Sequence, residues 1–210
     1  MKNLDLRKYW LVDRFLDTGR AEQCFYYLLK HYDKTQRYYH NLDHLRSLLV
    51  QWEHYRVHLH KPSLLLWAIF YHDVIYEVDR KDNERASAAY AQQDFQHTTL
   101  SAADQSEIGA MIVATEQHLP PQNATLDLCY FLDFDLQILG AEREAYWAYA
   151  QNIRKEYRNY PDEVYYPGRK QVLERLLAKE YLYQTEIFRE RYEEKARENI
   201  LEEMGRLGDV

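Results

Sequence analysis

Apolar residues recur at steps of three and four along most of the chain, and no stretch alternates strictly between apolar and polar residues. That spacing is typical of amphipathic helices, whereas half-buried strands have a period of two. Glycines and prolines fall between the periodic segments, where they indicate helix ends. We therefore predict an all-α fold, a helical bundle in a single domain over residues 1–210. The predicted helices span residues 4–17, 21–32, 41–59, 63–76, 83–98, 102–118, 124–139, 141–158, 169–180 and 183–204.

Composition and charge narrow the possible functions. The 27 Lys and Arg against 34 Asp and Glu give a net charge of −7, which argues against broad binding to nucleic acid. No segment approaches the ~20 apolar residues that a membrane span needs, and charged residues occupy the N-terminus where a signal peptide is apolar. The only cysteines, Cys24 and Cys129, are far apart, which favours a reducing compartment. We expect a cytoplasmic protein without a membrane partner, and the 20 tyrosines are compatible with an oligomer interface.

An apolar segment over residues 62–77 reads PSLLLWAIFYHDVIYE. Its first half is apolar on every face, which is typical of a helix that is buried all round. His72 and Asp73 interrupt it, and an ionised carboxylate in such surroundings costs several kcal/mol unless it is paired or binds a metal. An Asp–His hydrogen bond or an arginine partner satisfies the same requirement, so the dipeptide alone is weak evidence for a metal site.

Two other predicted helices carry histidines or aspartates. His40 and His44 are four residues apart, so both imidazoles lie on one helical face, where they could ligate a metal or form a surface pair. Asp133 and Asp135 lie in an apolar helix but point about 200° apart, so both cannot face one site directly. Such a mixed nitrogen and oxygen set suits Mn, Fe, Co, Ni or Zn.

Taken together, these motifs resemble the HD-domain superfamily of metal-dependent phosphohydrolases. HNLDH at residues 40–44 is similar to the HNxxH element of HD-type phosphodiesterases, and FYHDVIY followed by DNERASA resembles a bacterial subfamily of predicted HD-superfamily phosphohydrolases. The similarity extends to the C-terminal segments IRKEY, GRKQVL and YQTEIF, so it covers most of the chain. The resemblance implies an all-α bundle with a metal site. Its ligands correspond here to His44, His72, Asp73 and Asp135.

The resemblance also implies roles for neighbouring residues. His40 matches the histidine that protonates the leaving oxygen, although its spacing alone leaves it open as a ligand, and Asp133 competes with Asp135 as the last ligand. Glu84 is a candidate base or an outer residue that orients a ligand, with a surface helix charge as the alternative. His118 is a candidate ligand of a second ion, as extra histidines are in two-metal HD proteins, or else it merely ends its helix.

Arginines supply the candidate contacts to a phosphate group, because a guanidinium can bind phosphate oxygens in a bidentate manner. One candidate lies beside the histidine pair, and the others lie in the most basic neighbourhood of an acidic chain. Ion pairs with nearby acidic residues are the alternative. The candidate substrate-binding residues are Arg37, Arg154, Arg158 and Arg169.

We therefore expect a hydrolase that cleaves a phosphate ester of a small, nucleotide-like metabolite. In such enzymes a divalent transition metal polarises a phosphoryl oxygen and lowers the pKa of bound water towards 7. A side-chain acid then protonates the leaving alkoxide. Two alternatives stay open: a di-iron oxygenase of the HD type, in which His118 binds one iron, and a non-catalytic module that binds a nucleotide and regulates a partner.

Overall fold

The structure, a computed structural model, describes residues 5–207. Its regular secondary structure there is helical, apart from one isolated β-bridge between Phe15 and Thr98. The all-α prediction is confirmed. Within this range no helix is both long and apolar enough to cross a bilayer. The α-helices are α1 (Thr18–Tyr32), α2 (Leu42–Tyr55), α3 (Pro62–Tyr71), α4 (Asn83–Phe95), α5 (Ala102–Ala114), α6 (Leu126–Leu136), α7 (Arg143–Glu156), α8 (Asp162–Leu177) and α9 (Glu186–Leu207).

Contacts between Cα atoms divide the chain into two compact units, and the division falls after Phe134. The first unit contains α1 to α5 and most of α6, and the second contains α7 to α9. The assignment of the whole chain to a single domain stays a prediction. Most helix ends lie within about four residues of the predicted ends, and the exceptions below each have a physical cause.

Helix α3 forms the centre of the first unit, where it packs against α2, α4 and α5. Every residue from Leu64 to Tyr71 is buried, as the apolar run predicts. Trp10 lies against Trp67 and Phe70, with ring centroids 5.5 and 5.2 Å apart. Large aromatic side chains bury much of the apolar surface in such a core. This packing holds the C-terminal end of α3 in place.

The N-terminal segment differs from the predicted helix over residues 4–17. In its described part, two short 3-10 helices, Leu6–Tyr9 and Val12–Arg14, take the place of that helix. The indole of Trp10 lies between them, is buried in the aromatic core and donates a hydrogen bond to the Ala21 carbonyl at 3.1 Å. Burial of this side chain outweighs the local helical pattern, which is a weak determinant of structure by itself.

Helix α3 ends at Tyr71, earlier than the predicted end at residue 76. His72 is its C-cap, and the His72 amide still donates to the Ala68 carbonyl at 2.9 Å. Beyond it, the Ser87 hydroxyl on α4 accepts from the Ile75 N–H at 3.0 Å and donates to the Ile75 carbonyl at 3.1 Å. These bonds replace helical ones, so the chain leaves α3 at the His-Asp dipeptide.

In the second unit, α8 begins at Asp162 rather than at the predicted residue 169. Pro161 is its N-cap residue, and Pro167 lies inside the helix. A proline inside a helix removes one backbone hydrogen bond. For that reason the sequence pattern predicted a helix that begins only after Pro167. Because α8 packs along α9, tertiary contacts keep the helix continuous through this position.

Gly140 ends a 3-10 turn that lies against α9 in the second unit. A Cβ atom added at Gly140 would lie 2.6 Å from Tyr192 Cβ and 2.8 Å from the Tyr192 carbonyl oxygen, which is closer than van der Waals contact. We expect Gly140→Ala to lower the free energy of unfolding by about 1–3 kcal/mol, as overpacking does.

Gly205→Ala is the control, because nothing lies within 4 Å of its added Cβ. Alanine should stabilise α9 there by about 0.5–1 kcal/mol. Urea unfolding measures both, and equal effects would contradict this explanation.

Candidate metal centre

Two helix ends bring three candidate ligands together in the first unit. Asn41 is the N-cap of α2, and its side-chain oxygen accepts from the amides of Asp43 and His44 at 2.8 and 3.4 Å. This cap fixes His44 in the first turn of α2, where it is 4% exposed. At the end of α3, His72 is 1% exposed and Asp73 follows it.

The ligand atoms of these three residues converge on one point. The Nε2 atoms of His44 and His72 are 3.1 Å apart. Asp73 Oδ2 lies 3.2 Å from Nε2 of His72 and 3.7 Å from Nε2 of His44. In the plane of the three atoms, the point equidistant from them is about 1.9 Å from each, and points just above or below that plane reach the ~2.0–2.2 Å at which zinc binds nitrogen and oxygen ligands. Among the described residues, His44, His72 and Asp73 form a group that could hold a metal ion.

The hydrogen bond of His72 Nδ1 determines whether the other ring nitrogen, Nε2, carries a hydrogen or a lone pair. Nδ1 of His72 lies 2.9 Å from the Ile69 carbonyl oxygen, so Nδ1 carries the hydrogen and donates it. In the neutral ring Nε2 therefore presents a lone pair towards Asp73. Two acceptors at 3.2 Å need positive charge between them, either a proton on His72 or a metal ion. A carbonyl that orients a histidine in this way is typical of metal sites.

The carboxyl group of Asp73 is held in its ionised form. Burial is the largest single influence and raises the pKa of Asp73, but the charge and hydrogen bond of His72 together with the charges of His40 and His44 outweigh it. The net result is a pKa below the usual range of an aspartate. The site therefore presents an anionic oxygen beside two imidazoles at neutral pH, which is a donor set suited to a divalent transition metal.

His40 lies beside the three converging atoms rather than among them. Its ring centroid is 5.8 Å from that of His44, and it stacks on Tyr76 with centroids 4.0 Å apart. Its charge also lowers the pKa of Asp73, so the two side chains are close enough to interact. The spacing of His40 and His44 left both open as ligands, and the structure distinguishes them by placing His44 in the converging group.

The carboxyl group of Glu84 interacts electrostatically with that of Asp73. It lies in the first turn of α4 and is half-buried. Burial raises its pKa, the charges of Asp73 and Glu116 raise it further, and a backbone hydrogen bond and His118 act in the opposite direction. His118 follows α5 with a φ of 50°, a left-handed backbone conformation that is uncommon for residues other than glycine. A second ion near His118 stays a prediction.

The raised pKa of Glu84 predicts how Glu84→Gln changes the stability of the protein with pH. The folded protein holds this proton more tightly than the unfolded chain, so stability falls as the pH rises above the usual pKa of a glutamate. Glu84→Gln should therefore raise the melting temperature at pH 7, and the gain should shrink towards pH 4. If Glu84 is the base, activity falls by about 100-fold or more.

The control for Glu84→Gln is Glu163→Gln. Glu163 holds the same position in the first turn of α8 as Glu84 does in α4, but it is exposed. This control variant should change neither activity nor the pH dependence of the melting temperature. A Glu84→Gln protein that melts at a lower temperature than the wild type at pH 7 would contradict the raised pKa.

Arg37 lies beside the candidate ligands, as its position next to the histidine pair in the sequence suggested. It is 6% exposed, and its guanidinium donates to the carbonyl oxygens of His40, Asp73 and Val74 at 3.2, 2.6 and 3.1 Å. Its planar group also lies over the rings of Tyr32 and Tyr76. The terminal nitrogens of Arg37 are thus directed at the backbone beside the candidate ligands, and its contact with a substrate phosphate stays a prediction.

The other predicted phosphate contacts lie in the second unit. Arg154 forms an ion pair with Asp162 at 2.6 Å, and Arg169 is buried with two bonds to Glu203 at 2.8 and 3.0 Å. These partners are the ion pairs that the sequence left open as the alternative, and phosphate binding by Arg154 and Arg169 stays a prediction. Arg158 is exposed, and its assignment stays a prediction.

The last predicted ligand falls at the boundary between the two units. Asp133 is fully buried in the first unit, and Asp135 is the first residue of the second and is half-buried. Both lie in α6. Asp135 as the fourth ligand, with Asp133 as its competitor, therefore stays a prediction.

The sequence did not predict several residues whose side chains hold the backbone at and after Asp73 in place. The Tyr32 hydroxyl accepts from the Asp73 amide at 3.2 Å. The Asn83 side chain accepts from the Glu77 amide at 3.0 Å and donates to the Glu77 carbonyl at 2.9 Å. One signal was present: Asn83 and Ser87 are four residues apart in DNERASA and both bind the backbone that follows Asp73. Tyr32 lies too far away in sequence to give any signal.

Comparisons of the chain with protein-family models, with curated proteins and with solved structures find no match.

Proposed function

We propose that the protein is a metal-dependent hydrolase that cleaves a phosphate ester of a small, nucleotide-like metabolite. The convergence of the His44, His72 and Asp73 ligand atoms in the first unit is the observation that carries this proposal. Ordinary hydrogen bonds link such atoms in pairs, whereas a single metal ion can bind all three ligand atoms at once. The resemblance of HNLDH and FYHDVIY to the HD superfamily supports the reaction class.

The residues around the cluster fit the proton transfers of such a reaction. A bound divalent ion supplies a Lewis acid and a water molecule with a lowered pKa. His40 stacks on Tyr76 beside Asp73, where it can protonate a leaving alkoxide. Glu84, with its raised pKa, can take up a proton from an attacking water. A histidine and a glutamate whose charges both interact with one anionic ligand suit acid and base roles.

The proposal is tested with the purified full chain. After treatment with a chelator, the protein is supplied with Mn²⁺, Co²⁺, Fe²⁺, Ni²⁺ or Zn²⁺ and given p-nitrophenyl phosphate, bis-p-nitrophenyl phosphate and a panel of nucleotides. We expect phosphate release that needs the added ion. Tight binding of a nucleotide without turnover would favour a regulatory module instead, and consumption of O₂ with two irons per chain would favour an oxygenase.

A further inference from the structure

Arg37 connects the two chain segments that supply the metal ligands. From the segment before α2, its Nη1 reaches the Asp73 carbonyl at 2.6 Å and its Nη2 reaches the Val74 carbonyl at 3.1 Å. Those carbonyls belong to the ligand Asp73 itself and to the next residue. The same guanidinium also donates to the His40 carbonyl at 3.2 Å.

The backbone of Arg37 is linked in turn to the helix that carries His44. The Asn41 side-chain amide donates to the carbonyls of Arg37 and Tyr38 at 3.3 and 3.0 Å. The oxygen of the same Asn41 side chain caps α2 through the His44 amide. A continuous series of hydrogen bonds thus runs from Asp73 through Arg37 and Asn41 to His44.

We propose that Arg37 is a positioning residue that sets the separation between His44 and the His72–Asp73 pair, and through it the affinity of the site for its ion. This inference rests on the proposed function. The planar guanidinium suits the task, because its donors point in fixed directions towards several carbonyls at once. Lysine has one ammonium group on a flexible stem and cannot reproduce that fork.

The chain offers a matched control in the second unit. Arg189 also donates to two backbone carbonyls, those of Tyr183 at 2.8 Å and Gln184 at 2.9 Å. It lies over the ring of Tyr181 as Arg37 lies over Tyr32. Arg189→Met therefore removes the same kinds of contact as Arg37→Met from a part of the chain that carries none of the three converging ligands.

Titration of the full-length apoprotein with Co²⁺ alone, followed by calorimetry and by visible absorption of the bound ion, tests the proposal. We expect Arg37→Met to weaken Co²⁺ binding by about 10–100-fold and to change the spectrum, as loss of outer-shell partners does in metal sites. Arg37→Lys should give an intermediate loss, and it replaces the methionine variant if that variant does not fold. Arg189→Met should bind Co²⁺ within about threefold of the wild type.

Three results would overturn the positioning role: an Arg37→Met protein with unchanged affinity and spectrum, an equal loss in Arg189→Met, or no Co²⁺ binding by the wild type. The last result also removes the metal site on which the proposed function depends. If Co²⁺ binds and Arg37→Met weakens it, but no phosphate ester is cleaved, the positioning role stands and the proposed hydrolase activity falls.

Discussion

Replacement of Asp73 by asparagine is expected to lower metal-dependent hydrolysis by at least about 100-fold, because even outer-shell residues of a metal site cost 10–100-fold when they are removed. The change keeps the size of the side chain but removes the anionic oxygen that lies 3.2 and 3.7 Å from the two histidine nitrogens. Steady-state hydrolysis of a phosphate ester, measured together with bound metal per chain, gives the result.

Asp13→Asn is the matched control for this change. The Asp13 side chain is 79% exposed and lies in the first unit, where its nearest ion-pair contact is to Arg14 at 3.8 Å. This variant should retain wild-type activity and metal content. An Asp73→Asn protein that melts cooperatively and keeps activity within a few-fold of the wild type would show that the carboxylate holds no catalytic ion.

The second large effect is expected in the second unit, where Glu203→Gln should lower the free energy of unfolding by about 3–5 kcal/mol. Glu203 is buried and accepts two bonds from Arg169 and one from the Tyr146 hydroxyl at 2.5 Å. A neutral amide leaves the buried charge of Arg169 without its counter-ion. Equilibrium unfolding in urea, followed by circular dichroism, measures the loss.

The neighbouring residue provides the control for Glu203. Glu202 pairs with Arg143 and Arg206 on the exposed side of α9, so Glu202→Gln should lower the free energy of unfolding far less than Glu203→Gln does. The double variant Arg169→Met/Glu203→Leu should recover much of the stability lost in Glu203→Gln, because it removes both buried charges. Equal losses for Glu202→Gln and Glu203→Gln would show that burial does not determine the strength of this pair.

Much of the helical fold could be predicted from the sequence because burial leaves a local pattern. The run from Leu64 to Phe70 is apolar on every side, and the structure buries it at the centre of the first unit. The end of α3 could not be predicted, since it depends on the Ser87 hydroxyl, which binds Ile75 from another helix. Pro167 was misleading for the same reason, because the packing of α8 on α9 overrides a local helix breaker.

The converging residues of the candidate site were visible in the sequence, whereas the structure that supports them was not. His72 and Asp73 stand out because they interrupt an apolar helix. The spacing left His40 and His44 both open as ligands, and only the resemblance favoured His44. Arg37 was assigned to a substrate phosphate because the chemistry of arginine favours phosphate, but its bonds to backbone carbonyls depend on the folded arrangement. Carbonyl groups are present at every residue, so no sequence pattern indicates which of them an arginine binds.

The central claim is that the side chains of residues 44, 72 and 73 bind one divalent cation. It is tested most directly by crystals of the full chain grown with Mn²⁺, with diffraction recorded on both sides of the manganese absorption edge. We predict a strong anomalous peak within about 2.3 Å of both histidine Nε2 atoms and of the aspartate oxygen, slightly beyond the ~2.0–2.2 Å found for zinc. An anomalous map with no peak among these atoms, at a Mn²⁺ concentration that supports activity, would contradict the claim.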